Sequence, residues 1–263
     1  MGGFCKPRGN TSSIRLWPSS GCLGAGRLLS PGARHLNTNK ANRVSYQFRW
    51  DIIPSNFDFL MSGMQMTLLI SATALVFAMV GGLVLALMDL SRFWPLRVVG
   101  LSFGELIRNT PILVQLLWVY YVLPIVFAIR ITALGAIIIG LSVYMAAFIS
   151  EVYRAGIQAV PKGQREAAQV LGLTPAQSFR RIVLPQAIRL TLPPLASNFV
   201  QLIKFSSLGA VISVSEITRR GMELSSSTFR PLEIFSFIAL VYFLICWPLA
   251  MAIRVWEKRL ARR

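Results

Sequence analysis

The chain lacks most of the residues that enzyme chemistry draws on. Its 263 residues include one histidine, His35, and three cysteines, Cys5, Cys22 and Cys246. The cysteines form neither a CxxC pair nor a disulfide framework. The body of the chain therefore has almost no raw material for metal or histidine-based chemistry. No Gly-x-x-x-x-Gly-Lys-Ser/Thr stretch is present, which excludes ATP binding by this chain through a P-loop. Charge is scarce at 14%, against about 25% in soluble domains. With 54% hydrophobic residues and a mean hydropathy of +0.59, this excludes an ordinary cytosolic enzyme and indicates a multi-span membrane protein. Acid is the scarcest charge, with 10 acidic against 27 basic residues and a net charge of +17. In a soluble protein such an excess points to nucleic acid. Here seven of the basic residues lie within the first 43, and no basic helix with interleaved aromatics is present, so no nucleic-acid partner is expected.

Five apolar runs are present. Met64 to Met88, Ile131 to Ile149 and Ile234 to Ile253 carry no charge; Leu190 to Val214 carries only Lys204; Val98 to Ile129 is interrupted near its start by Glu105 and Arg108. Runs of about 20 apolar residues match the thickness of a bilayer. None alternates with period two, so helices are expected rather than a barrel. The predicted fold is all-α and polytopic, with five transmembrane helices. Arg92 and Arg97, the six basic residues between Arg154 and Arg189, and the C-terminal Arg254, Lys258, Arg259, Arg262 and Arg263 fall on one side. The positive-inside rule makes that side the cytoplasm, with the C-terminus inside and the N-terminus outside.

Residues 1–43 break the pattern. They are basic, free of acid and rich in Ser, Gly and Asn. A transit-like targeting segment, a disordered appendage and a start codon assigned too far upstream all fit. A pre-span segment follows over 44–62, where Tyr46, Phe48, Trp50 and Phe57 suit an interfacial aromatic belt or plain helix packing. Residues 255–263 form a basic cytoplasmic tail.

The third connection is too long for a hairpin between spans. A helix is expected over Gln164–Leu171, with Gly172 at its C-cap. Thr174 and Pro175 suit an N-cap and first-turn proline. A second helix follows over Ala176–Leu184, and Pro185 is expected to stop it. The run Glu166-Ala167-Ala168, then Gly172, then Ile182, Leu184 and Pro185 resembles the EAA loop of ABC importer permeases. The flanks Tyr153-Arg154-Ala155-Gly156-Ile157 and Leu184-Pro185-Gln186-Ala187 are similar to the polar amino-acid branch, and Arg108-Asn109-Thr110-Pro111 resembles that branch's Arg-Gly-Thr-Pro. The resemblance runs from about residue 46 to 257.

What it implies is concrete. Residues 63–254 would form a type I ABC importer transmembrane domain, with the EAA coupling loop at about 154–187. Glu166, Ala167, Ala168, Gly172, Ile182, Leu184 and Pro185 would couple it to a separate ATPase dimer, which binds ATP-Mg. This chain would hold no cofactor and catalyse no covalent chemistry. A second permease chain, identical or a sister, would complete the pathway. A solute-binding protein would deliver a polar or charged amino acid across the inner membrane. The family's Lys-Asp-Thr/Ser-Ser-Leu stretch reads here Lys204-Phe205-Ser206-Ser207-Leu208, with Phe205 in place of Asp.

Asn198, Gln201 and Lys204 recur at i, i+3 and i+6 in the fourth run, after Pro193-Pro194, which should kink or break it. Polar groups at membrane depth are functional candidates, so these three are a candidate wall of the translocation path; interhelical hydrogen bonding, with Lys204 snorkelling outward, is the alternative. Glu105 with Arg108, and Glu151 with Arg154, suit ion pairs that order cytoplasmic helix ends. A secondary transporter would show intramembrane carboxylates, and none stands in mid-span. A membrane scaffold using the same loop remains a rival, which an uptake assay separates.

Overall fold

The computed structural model describes residues 47–261, so the basic segment 1–43 lies outside the described residues. A short turn, α1 (Ile52–Ser55), leads into α2 (Phe57–Asp89). Then follow α3 (Trp94–Arg108), α4 (Ile112–Leu117) and α5 (Leu123–Phe127), the last two joined by a π-helical stretch over Trp118–Val122. The long α6 (Ala133–Gln158) precedes α7 (Lys162–Val170) and α8 (Pro175–Ser178). A second π stretch, Phe179–Val183, joins α8 to α9 (Leu184–Phe205), which tightens into a 3₁₀ turn over Ser206–Ile212. The short α10 (Ile217–Thr228) and the long α11 (Pro231–Ala261) complete the chain. Among the described residues there is no strand.

Four helical segments are long and apolar enough to cross a membrane: Phe57–Asp89, Ala133–Gln158, Pro175–Ile212 and Pro231–Arg259. The expected second span is not straight. Its two arms, Trp94–Arg108 and Ile112–Phe127, meet at 105° and make a fifth crossing only if counted together. The break falls at Asn109-Thr110-Pro111, because the residue before a proline is driven out of the helical region and Pro111 has no N–H to donate. Breaking a helix at membrane depth strands carbonyls that water cannot reach. Gln115 compensates: its Nε2 donates to the Ile107 carbonyl at 2.7 Å and to the Thr110 carbonyl at 3.2 Å.

The other prolines behave differently from expectation. Pro185 does not stop a helix; the chain stays helical from Pro175 to Ile212. Pro193 and Pro194 lie inside α9 without ending it. Pro124 and Pro185 each stand two residues after a π stretch. A π turn spaces the backbone more widely just where the proline ring would meet the preceding turn and where its missing N–H leaves a carbonyl unpaired.

The centre of the bundle is α2 against α6, with α9 packed on α6 and also touching α2. Small residues make this approach possible. Thr67, Ser71, Ala74, Ala78, Gly82 and Ala86 are buried along one stripe of α2 at three- and four-residue spacing. A Cβ at Gly82 would lie 2.7 Å from Ile149 Cγ2. The Ser142 hydroxyl crosses to the Ala74 carbonyl at 3.3 Å. The main apolar core unites Ile70, Leu116, Ile137, Leu141, Met145 and Leu202. A second cluster, Leu60, Ile217, Leu224, Ile234 and Ile238, holds α10 between α2 and α11. The outward face of α2, including Val76, Phe77, Val80 and Leu83, is exposed and apolar, as a lipid-facing surface requires.

Candidate functional site

The third connection forms a compact knob, and local chemistry explains each turn of it. The α7 helix ends on Gly172 at φ +77°, in the left-handed region that glycine adopts without a Cβ penalty. Leu173 N–H donates to the Ala168 carbonyl at 3.0 Å and Gly172 N–H to the Gln169 carbonyl at 2.9 Å. These two bonds make a complete Schellman motif. Two residues on, Thr174 Oγ1 accepts from Gln177 N–H, and Gln177 Oε1 accepts from Thr174 N–H at 3.0 Å. This capping box starts α8 at Pro175 as expected. The Arg165 guanidinium donates to the Ile157 carbonyl at 2.7 Å, tying the knob to the end of α6. Gln186 Nε2 donates to Gln164 Oε1 at 2.8 Å, tying it to the start of α9.

Within the knob the residues of interest divide by exposure. Glu166 and Ala167 face outward, whereas Ala168 is buried at the base. Ile182 is half-buried; Leu184 and Pro185 are exposed. Sequence inspection missed Val170 and Leu171, which are 88% and 78% exposed beside Gly172. They leave two bare aliphatic side chains at the tip of an otherwise polar loop. The signal was available: both fall outside every apolar run, where burial in lipid cannot explain them.

The polar residues of α9 do not share one face. Asn198 turns inward and is buried, with its Nδ2 lacking a partner, while Gln201 and Lys204 are exposed. Steps of three residues on a helix drift by about 60° each, so six residues carry the side chain well round the helix. Beside Lys204, Phe205 packs edge-on against Tyr144 at 5.8 Å, and Tyr144 lies 5.0 Å from Phe148.

Both expected ion pairs form. Arg108 meets Glu105 at 2.9 Å and also donates to the Ala147 carbonyl at 2.9 Å. That anchor lies eleven residues before the end of α6, roughly 16 Å along its axis, so this pair sits at the bend rather than at a cytoplasmic helix end. Arg154 pairs with Glu151 within α6. Sequence inspection also missed Glu216. Its carboxylate is fully buried, caps α10 by accepting from Thr218 N–H at 2.9 Å and Arg219 N–H at 2.7 Å, and lies 3.3 Å from the Tyr242 hydroxyl. Burial pushes this carboxyl above the usual carboxylate range, against the pull of the two amides. No polar signal within the apolar runs pointed to it, because it stands between two of them.

This architecture is that of an all-α, polytopic type I ABC importer transmembrane domain. A solved amino acid ABC transporter chain, described with histidines, superposes at a TM-score of 0.77 with 34% identity, covering 81% of this chain and 100% of that one. The inward-facing MetNI methionine ABC transporter matches at 0.60 with 19% identity over 77% of this chain and 98% of that one, a likeness of fold alone.

The chain belongs to the family of binding-protein-dependent transport system inner membrane components, whose model matches residues 78–263, and within it to the amino-acid ABC permeases. The probable glutamine ABC transporter permease GlnM of Bacillus subtilis (strain 168) is 38% identical over 211 residues, 80% of this chain and 97% of that protein. The glutamine transport system permease GlnP of Escherichia coli (strain K12) is 37% identical over 215 residues, 81% and 98% respectively. The L-cystine transport system permease TcyB of Bacillus subtilis (strain 168) is 34% identical over 229 residues, 86% and 97%.

Proposed function

We propose that this chain is the permease subunit of an ATP-driven importer that moves a polar or charged amino acid across the bacterial inner membrane. The knob is its coupling element. Glu166 and Ala167 present a charged, closely approachable surface, Ala168 seats α7 on its base, Gly172 sets the turn, and Ile182, Leu184 and Pro185 lead from the knob into the fourth span. The partner is an ATPase dimer that binds ATP-Mg and whose closure pushes the knob. A second permease chain, identical or a sister, completes the path, with Asn198, Gln201 and Lys204 contributing to its wall. A solute-binding protein delivers substrate from outside, where the N-terminal end of the domain lies, and the C-terminal tail lies in the cytoplasm among anionic lipid headgroups.

The observation that carries this reading is the knob itself: a Schellman turn and a capping box hold an exposed Glu166 and a bare apolar tip away from the spans. The test is affinity purification of the C-terminally tagged chain from its native membrane, followed by mass spectrometry. A P-loop ATPase in the wild-type eluate, lost on Glu166→Lys at equal membrane abundance, is the expected result. Retention of the ATPase and normal uptake by that variant would overturn the coupling role. An ATPase absent from the wild-type eluate would favour a scaffold.

A further inference from the structure

The ten acidic side chains of the chain all fall within the described residues, so their placement can be followed completely. Asp51, Glu105, Glu151 and Glu223 are held in ion pairs with arginines. Glu216 and Glu233 are buried; Glu216 accepts from backbone amides, and Glu233 accepts from Arg49 N–H and lies 3.8 Å from Arg230. Asp58 and Asp89 stand at opposite ends of α2, with Asp89 buried against Gly100. Glu166 lies in the knob and Glu257 near the end of α11. None lies between 190 and 214, and Glu105, exposed at the bend of the second span, is paired with Arg108. The free charge there is of the other sign: Lys204 is the one charged residue between 190 and 214, is exposed, and has no ion-pair partner among the described residues. A cation at that depth is costly against lipid and favourable against a ligand carboxylate. Phe205, the next residue, packs edge-on against Tyr144, so a substrate ammonium there would meet aromatic rings rather than a carboxylate.

We infer that the path recognises its substrate through the carboxylate, at Lys204, and admits amino acids with neutral or anionic side chains while rejecting those with a second positive charge. The inference rests on the pathway role proposed above. A guanidinium or ammonium side chain held about 6 Å from Lys204 at an effective dielectric of about 20 loses on the order of a hundredfold in affinity.

The test uses the intact transporter in membrane vesicles, with Cys5, Cys22 and Cys246 replaced by serine and Ser207→Cys as reporter. Ser207 lies one turn beyond Lys204 and is bonded to its carbonyl at 2.7 Å. An anionic methanethiosulfonate reagent labels the reporter, and glutamine, glutamate and arginine are compared as protectants. Glutamine or glutamate at about ten times its Kd is expected to slow labelling about tenfold, arginine to leave it unchanged, and Lys204→Gln to abolish the protection. Protection by arginine equal to the best of the others, protection by none, or protection that survives Lys204→Gln would each overturn the inference while leaving the pathway intact. A reporter that never labels in inserted, correctly assembled transporter removes the pathway role, and the inference with it.

Discussion

Gly172 offers a test of the coupling knob in which conformation and contact separate cleanly. Its φ is +77°, and a Cβ built there meets nothing within 4 Å. Gly172→Ala therefore introduces no clash; it adds only the cost of placing an L-residue in the left-handed region, about 1–2 kcal/mol. The Schellman bonds from Gly172 and Leu173 need that conformation. The loop is exposed and held by few contacts, so the penalty emerges as local opening of the turn rather than as global unfolding. An opened turn no longer presents Glu166 and the Val170-Leu171 tip together, and ATPase affinity should fall by roughly five- to thirtyfold. The control is Gly163, also in open space but without positive φ. Gly163→Ala should keep or improve affinity, since alanine favours a helix over glycine by about 1 kcal/mol. The assay is titration of the purified ATPase onto the permease in lipid nanodiscs. Equal affinities for wild type and Gly172→Ala, at equal thermal stability, would refute the reasoning.

Two other predictions follow from the spans and one from the segment between the last two. Gln115→Leu removes the donor to the Ile107 carbonyl at the bend and should cost about 1–3 kcal/mol, read as a lower thermal midpoint in detergent; an unchanged midpoint would mean that something else satisfies the carbonyl. Gly82→Leu drives a side chain into Ile149 and should cost about 1–3 kcal/mol or more, with partial rescue by Ile149→Ala, so additive effects in that double-mutant cycle would contradict direct packing. The raised pKa of Glu216 means that the folded chain holds this proton more tightly than the unfolded one. The contribution is complete below the unfolded value and is lost as pH rises through the folded one. The stability of wild type relative to Glu216→Gln should therefore decline from about pH 4 upward, and a flat or rising difference would argue that the carboxylate is charged at no cost.

What could be seen in the sequence was what local chemistry decides. Uncharged runs such as Met64 to Met88 and Ile234 to Ile253 lie within observed helices, because a hydrophobic stretch of that length has few alternatives. Gly172, Thr174 and Pro175 took the caps assigned to them, because those caps depend on near neighbours. The misjudged features depend on compensation from a distance. Proline rules predicted a stop at Pro185 and a kink or break at Pro193-Pro194, yet π stretches and packing of α9 on α6 carry the helix through without a break. A bend at Pro111 was readable from the proline itself; its 105° depth, tolerable because Gln115, four residues on, folds back to the exposed carbonyls, was not. Among the candidate site residues, the outward Glu166 was readable from its motif. The inward turn of Asn198 and the burial of Glu216 needed the neighbouring helices to be in place.

The central claim is that this chain carries an amino acid through the membrane at the expense of ATP hydrolysed by its partner. The most direct measurement is uptake of radiolabelled glutamine and glutamate by cells with and without the chain, under a protonophore with ATP maintained and then under ATP depletion. Uptake of at least one that requires the chain, withstands the protonophore and ceases on ATP depletion is the predicted result. Chain-dependent uptake that collapses with the proton gradient while ATP is held constant would contradict the account.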